Sequence, residues 1–243
     1  MRPLHIVMPM AGEGSRFLRQ GWTTPKPLIL LHGEPLFIHA IRSVAAPDIP
    51  IKHSFIVRQE HIDSYHIDQS ILTLLPQAHV YSVLQTTRGA VETCLIAEPA
   101  IDDNDAVIVM DCDLEFRSRE FDRIIRETLS IPADQAQGGA LVSFQSSNPR
   151  YSYAELNADG LVVRTAEKEV ISSHALCGAY FFASARRFKQ IAHRLLNEPV
   201  FTKPEYYVSL LFNYLLRDGE QVRLAPMEEY YSYGTPEELQ QYL

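Results

Sequence analysis

Short apolar runs of strand character alternate with segments of helical period through the first half of the chain. LHIVMPM, HSFIVR, HVYSVL and AVIVMD read as strands, whereas PLFIHAIRSVAA, the stretch Ile62 to Leu75 and AVETCLIAE repeat apolar residues at helical spacing. Alternation of this kind predicts a mostly parallel sheet with helices on both faces, and such sheets bind ligands at the carboxyl ends of their strands.

After Gly139 the pattern changes. GALVSF, YAEL, LVVRTAE and CGAYFFAS follow one another as strands, NADG reads as a hairpin turn, and the predicted result is an antiparallel extension of the sheet. Helices over ARRFKQIAHRLLN and PEYYVSLLFNYLLRDG, a strand QVRLAP and a last helix PEELQQYL complete the chain. No linker, internal repeat or low-complexity tract interrupts it, so one domain is expected across residues 1–243, the second half completing the first.

Composition narrows the function classes. With 46% apolar and 21% charged residues over 243 positions, the chain has the make-up of a globular protein with a sizeable core. A net charge of −8 leaves no electrostatic footprint for nucleic acid, so any anion site must be local. The opening MRPLHIVMPM is broken by His5 and Pro9 and reads as a strand rather than a leader. No run approaches the roughly 20 apolar residues that span a bilayer, so no membrane insertion is expected. Cys94, Cys112 and Cys177 lie far apart in apolar surroundings, which fits neither a disulfide framework nor a zinc site and points to the cytoplasm. The nine histidines show no metal-binding spacing and are assigned surface or packing roles. The apolar stripe in YYVSLLFNYLL is core or an interface between copies, so a homo-oligomer stays open.

The candidate chemistry begins directly behind the first strand, in PMAGEGSRFLRQGWTTPKPL, residues 9 to 28. A dinucleotide fingerprint needs a third small residue where Phe17 stands, and a P-loop needs its lysine at the end of the glycine loop, not downstream in TPKPL. Physically, Gly12 and Gly14 let the backbone approach a ligand and turn amide N–H groups outward, and Ser15 adds a hydroxyl. Arg16 supplies a planar fork for phosphate oxygens, and Lys26, stiffened between two prolines, a compact charge. Singly each is better read as an ordinary turn or a solvated charge; together they suit a triphosphate. The intervening FLRQGWTT is predicted to be a mobile segment that orders over the nucleotide. Further on, VIVMDCDLEF puts Asp111 and Asp113 at the end of a strand, two residues apart and on one face if the strand continues. Mg²⁺ takes one or two carboxylates plus phosphate oxygens, which favours Asp113 as ligand with Asp111 in support.

These residues resemble the sugar-nucleotidyltransferases, or nucleoside-diphosphate-sugar pyrophosphorylases, whose signature is a first strand, Gly-x-Gly-Ser/Thr-Arg and a later Pro-Lys-Pro. Here it stands as AGEGSR and PKPL, and the resemblance continues through QTTRGAVET, VMDCDLEF, AEKEVISSHALCGAYFF, EYYVSLLFNYLL and YGTPEEL. It implies a Rossmann-like α/β nucleotidyltransferase fold, with a nucleotide-binding half over about 1–138 and an acceptor-binding half over about 139–243. It also implies a cytoplasmic enzyme that joins a nucleoside triphosphate to a phosphorylated small molecule and releases pyrophosphate. By similarity the backbone at Ala11 and Gly12, with Gln85 and Gly89, meets the base. Arg16 and Lys26 hold the triphosphate, and Asp113 binds Mg²⁺. Glu167 and Lys168 meet the acceptor and its phosphate, beside Gly178 and Tyr180. MPMAG and YSY resemble members placed in capsule and surface-polysaccharide pathways, a subgroup that points to a pyrimidine nucleotide (CTP, UTP or dTTP) and, with CTP, to acceptors other than hexose phosphates.

Two departures stand out. Family members often carry an aspartate two places before the late Gly-Thr, where this chain has Ser232, leaving Asp111, Glu228 or Glu229 to complete a metal shell. AEKE lacks the proline that often follows the lysine, which bears on the acceptor. Thr235 reads as a helix N-cap with Glu238 as its capping-box partner, and Glu205 and Ser209 are weaker site candidates. The expected reaction is in-line attack of an acceptor phosphate oxygen on the α-phosphorus, driven by alignment and by the charges of Arg16, Lys26, Lys168 and Mg²⁺, with no side-chain nucleophile. Asp-x-Asp alone would equally suit a nucleotide-sugar glycosyltransferase, and Ser232 would suit a nucleotide-binding regulatory module without turnover.

Overall fold

The structure is a computed structural model that describes residues 1–198 and 205–243. Strands β1 (Leu4–Met10), β4 (Ile51–Arg58), β5 (His79–Val83) and β6 (Ala106–Met110) are parallel neighbours in the order β6-β1-β4-β5. The chain leaves β1 towards β4 and β5 and returns on the other side of β1 as β6. The switch in strand order therefore falls at the carboxyl end of β1, where an open α/β sheet forms its ligand crevice. The long connection between β1 and β4 carries a short helix α1 (Ser15–Arg19), a two-residue ribbon of β2 (Leu30–Leu31) and β3 (Glu34–Pro35), and α2 (Leu36–Arg42).

The second half extends the same sheet, as expected. β11 (His174–Phe182) runs antiparallel to β6, β8 (Gly139–Gln145) and β9 (Ser152–Leu156), and β9 pairs antiparallel with β10 (Val162–Glu167) across the Asn157–Gly160 turn. β12 (Val222–Pro226) closes the β8 side in parallel.

Helices cover both faces. On one, α2, α4 (Ile67–Leu74) and α6 (Arg119–Leu129) bury Phe37, Ile71, Phe121 and Ile125 against Ile6 and Met8 of β1. On the other, α5 (Ala90–Leu95), α7 (Ala185–Asn197) and α8 (Leu211–Arg217) bury Cys94, Phe188 and Phe212 against Val7 and Val109. The YYVSLLFNYLL stripe is thus core: Leu211, Phe212, Tyr214 and Leu215 are fully buried. A third, separate cluster gathers Phe17, Ile29, Leu31, Leu36, Tyr233 and Leu239 between α1 and the last helix, α9 (Pro236–Leu239).

Several local readings are corrected. The single helix expected from Ile62 to Leu75 is two, α3 (Gln59–Tyr65) and α4, because His66 adopts φ 51° between them. Helix α6 has no counterpart in the sequence reading; Ser118 caps it by accepting from the Phe121 amide at 3.2 Å, and its charged outer face hid the buried stripe. β7 (Leu114–Arg117) and β13 (Glu229–Ser232) form an unforeseen antiparallel ribbon that carries the chain towards the site. The helix expected over PEYYVSLLFNYLLRDG starts only at Leu211, after a single 3-10 turn over Val208–Leu210, and Pro204 lies outside the described residues. Among the described residues no helix is long and apolar enough to cross a membrane.

Candidate active site

The loop behind β1 turns through Gly14, which takes φ 64° and leads into α1. Only glycine takes this left-handed conformation at little cost. Phe17, the residue that ruled out a dinucleotide fingerprint, is 2% exposed and meets Trp22 edge-to-face at 5.6 Å. Gln20 donates to Glu237 of α9, and the Tyr65 hydroxyl of α3 donates to Thr23 O at 2.7 Å. The segment expected to be mobile is therefore a helix-bearing arm tied down at its buried aromatic and at two hydrogen bonds.

The arm ends in Pro25-Lys26-Pro27, where a 3-10 turn over Lys26–Leu28 aims the lysine across the crevice. Its Nζ donates to Asp113 Oδ2 at 2.6 Å. This pair joins two cavities at the carboxyl ends of β1 and β6. One, of about 330 Å³, lies between the glycine loop, the Pro-Lys-Pro turn and α3, and is lined by Gly12, Gly14, Lys26 and Tyr65. The other, of about 320 Å³, is lined by Arg16, Asp111, Asp113, Glu167, Gly178 and Tyr180. Arg16 has no ion-pair or hydrogen-bond partner among the described residues, so its fork is available to an anion.

β6 ends at Met110, so Asp111 and Asp113 lie in the bend beyond it and not on a continuing strand as the spacing implied. They reach the same cavity because the chain turns there. The Asp111 carboxyl touches solvent in the cavity yet is crowded by protein: a Cβ on Gly178, itself at φ 92°, would sit 2.3 Å from Asp111 Oδ2. Loss of hydration among the surrounding protein atoms, then the negative charge of Asp113, push Asp111 up to about 7, against the pull of Lys26. Burial alone would lower the Lys26 ammonium, but Asp113 and its anionic neighbours outweigh it and hold the lysine above its ordinary value. Cys112, beside this pair, is pushed up to about 12 by burial, and burial lifts Cys94 and Cys177 further, which removes all three as nucleophiles.

On the far wall Glu167 is 6% exposed, and its Oε2 accepts from Ser152 and, at 2.8 Å, from Ser209. Ser209, a minor candidate by sequence, thus positions Glu167, and Glu205 lies on the cavity lining. Tyr180 stands 3.5 Å from Ser152, its phenol raised by burial and by Glu167. Lys168 stands at the edge of this cavity, beside Tyr207 on its lining. At φ 54° it turns its ammonium onto the Tyr207 hydroxyl at 2.6 Å and does not line the cavity. Ala11 is buried, Ser15 is exposed, and neither is on the lining of these two cavities; nor are Gln85 and Gly89. Gly89, at φ 146°, has the Tyr206 backbone 2.4 Å from any Cβ position, so close packing demands glycine there.

Glu228 and Glu229 do not join the site. Glu228 accepts from the Arg119 amide at the start of α6, and Glu229 faces Arg117 at 3.5 Å. The carboxylate beside Ser232 is Glu238. Thr235 does cap α9 by accepting from the Glu238 amide at 3.3 Å, but the Glu238 side chain accepts from Ser232 Oγ at 2.9 Å and from Arg150 rather than completing a capping box. Arg150, Tyr151, Tyr230 and Glu238 all line the second cavity. Sequence reasoning missed them as site residues because YSY within NPRYSY pointed only to a subgroup and helix capping explained Glu238 sufficiently. Among the described residues no three His, Cys, Asp or Glu side chains enclose a metal by themselves.

No curated protein sequence matches the chain. Among solved structures it is similar to the nucleoside-diphosphate-sugar pyrophosphorylase from Vibrio cholerae RC9, with a TM-score of 0.83, 27% identity, and 98% and 99% of the two chains covered. It also shares its fold with a Bacillus anthracis protein described as a candidate glucose-1-phosphate thymidylyltransferase in complex with sucrose, with a TM-score of 0.75, 20% identity, and 98% and 93% coverage. The sequence profile of the nucleotidyl transferase family matches residues 5–228, which takes in the glycine loop, Lys26, Asp111 and Asp113 and sets aside the glycosyltransferase alternative that rested on Asp-x-Asp alone. The chain belongs to the nucleotidyl transferase family and is a nucleotidyltransferase.

Proposed function

We propose that the protein transfers the nucleoside monophosphate of a pyrimidine triphosphate to a phosphorylated sugar or another phosphorylated small molecule and releases pyrophosphate. The observation that carries this reading is the Lys26–Asp113 pair at 2.6 Å, a cation and a carboxylate where the two cavities meet. The name of the Vibrio cholerae relative, a nucleoside-diphosphate-sugar pyrophosphorylase, supports a sugar phosphate as acceptor. In this reading one domain does both tasks, with the nucleotide held mainly by residues before about 138 and the acceptor by those after.

Arg16 and Lys26 hold and orient the triphosphate, and the amides of the Ala11–Ser15 loop, with Asp111, Gln85 and Gly89, place the nucleoside. Glu167, locked by Ser152 and Ser209, keeps its second oxygen for a donor group of the acceptor, beside Gly178 and Tyr180. Lys168, bonded to Tyr207 at the edge of the cavity, keeps two N–H donors for the acceptor phosphate. An acceptor phosphate is anionic at neutral pH and needs no base, so the chain's work is to align it with the α-phosphorus, exclude water and neutralise charge.

Mg²⁺ fits this donor set. Asp111 and Asp113 offer hard oxygen ligands, the Cβ-free Gly178 leaves room against Asp111, and phosphate oxygens with water would complete the shell. When bound, the ion supplies positive charge beside the reacting phosphates. A pyrophosphate-release screen crossing CTP, UTP, dTTP, ATP and GTP with sugar 1-phosphates and phosphorylated alcohols tests the proposal. Release with a pyrimidine nucleotide and a phosphorylated acceptor is expected, and consumption of a nucleotide sugar without pyrophosphate would overturn it. The capsule or surface-polysaccharide role, with CTP as the leading donor, rests on the MPMAG and YSY resemblance alone and stands or falls with the acceptor found.

A further inference from the structure

The acceptor-side cavity is rich in negative charge. Asp111, Asp113, Glu167, Glu205 and Glu238 line it, and the cations on its lining are Arg16 and Arg150. A phosphate ester entering such a space meets net repulsion unless a cation faces it. Arg16 approaches from the glycine-loop side, and the Lys168 ammonium stands at the edge, giving one of its three N–H groups to Tyr207 on the lining.

Arg150 is built to be held in place. Its Nη2 donates to both Glu238 Oε1 and the Tyr151 hydroxyl, and the guanidinium lies 4.5 Å from the Tyr151 ring centroid. Its Nε is buried without a partner, and Nη1 donates to no acceptor among the described residues. The side chain stays 32% exposed. A fixed, planar cation with unused donors on a cavity lining is suited to a phosphate oxygen pair. Its location is also informative. Glu238 Oε2 and Asp113 Oδ2 lie 3.5 and 3.3 Å from the point where a side chain on Gly234 would begin. Arg150 therefore stands next to the Lys26–Asp113 pair through Glu238, at the reacting end of the cavity and not its far wall.

We infer that Arg150 binds the phosphate of the acceptor and that Glu238 positions it. The inference rests on the nucleotidyl-transfer reading and names a residue for it: the acceptor enters phosphate-first towards Arg150, and the donor groups of its carbon part face Glu167.

Binding of glucose 1-phosphate and of inorganic phosphate is to be measured calorimetrically with wild type, Arg150→Ala, Arg150→Lys, Glu238→Gln and Lys168→Ala. The same panel is then assayed for pyrophosphate release. For Arg150→Ala a loss of about tenfold to a hundredfold in phosphate affinity and a matching rise in acceptor KM are expected, with nucleoside triphosphate KM and melting temperature near wild type. Arg150→Lys should recover part of the affinity and Glu238→Gln should weaken it less than Arg150→Ala. Equal phosphate affinity and acceptor KM in wild type and Arg150→Ala overturn the inference, as does wild type that binds neither probe, or a loss in Lys168→Ala alone. Phosphate binding that depends on Arg150 in a protein that releases no pyrophosphate with any acceptor would uphold this assignment while refuting the proposed function.

Discussion

Phe17 ties the arm that carries Arg16 and Lys26 to the body of the protein, and its removal tests whether the arm is held by packing. The ring is 2% exposed and sits in a cluster with Ile29, Leu31, Leu36, Tyr233 and Leu239 that is separate from the two large cores. Burying a phenylalanine removes about 150–250 Å² from water. At about 25 cal/mol per Å² that is roughly 4–6 kcal/mol, in keeping with the about 3–5 kcal/mol measured for Phe→Ala in cores. The five residues of α1 are too few to stay helical unaided, so the loss falls on the arm more than on the sheet. Amide exchange at Phe17, Leu18 and Trp22, whose N–H groups bond Gly14 O and Phe17 O, is expected to quicken about 10²–10³-fold in Phe17→Ala. Trp22 is the single tryptophan and touches Phe17, so its emission should shift to the red. The KM for the triphosphate should rise about tenfold or more, because Arg16 and Lys26 are carried on this arm. Phe17→Leu, which keeps most of the volume, should lose no more than about 1.5 kcal/mol. Wild-type exchange rates and triphosphate KM in Phe17→Ala would refute the reasoning.

Lys26→Met should abolish pyrophosphate release, by about 10²-fold or more, while circular dichroism stays native; undiminished turnover would remove Lys26 from the site. Gly178→Ala forces a methyl group to 2.3 Å from Asp111 Oδ2 at a φ of 92°, so a loss of about 2 kcal/mol or more in denaturant unfolding, with loss of activity, is expected; a variant of wild-type stability and activity would show that this close packing is dispensable. Asp111 gives a pH test in the absence of divalent cations. Because its carboxyl is raised from 3.8 to about 7 in the folded state, the folded protein keeps a proton that the unfolded chain has released. That contribution is fully present below about pH 4 and is lost as pH rises through about 7. Asp111→Asn should therefore melt at a temperature that falls less than that of wild type between pH 5 and 8, and parallel curves would refute the assignment.

The strands, most helices and the two-part opening motif were legible in the sequence because each is a local pattern. A run such as AVIVMD, the spacing AGEGSR to PKPL, and the turn NADG report on neighbours within a few residues. Helix α6 escaped because its charged residues outweigh its buried face, and the single helix from Ile62 failed because periodicity does not register the one left-handed residue, His66.

What the chain alone determined, then, was the α/β class and a set of residues competent to meet phosphate. Which of them meet was decided by the tertiary structure. Lys26 and Asp113 lie 87 positions apart and come to 2.6 Å because β1 and β6 are adjacent strands whose carboxyl ends face one crevice. Arg150 and Glu238, 88 apart, come together because β9 and the last helix border the same cavity. No local pattern encodes such pairs. Lys168 is a further case: its motif gives no sign of the left-handed backbone that brings its ammonium to Tyr207, on the lining of the same cavity.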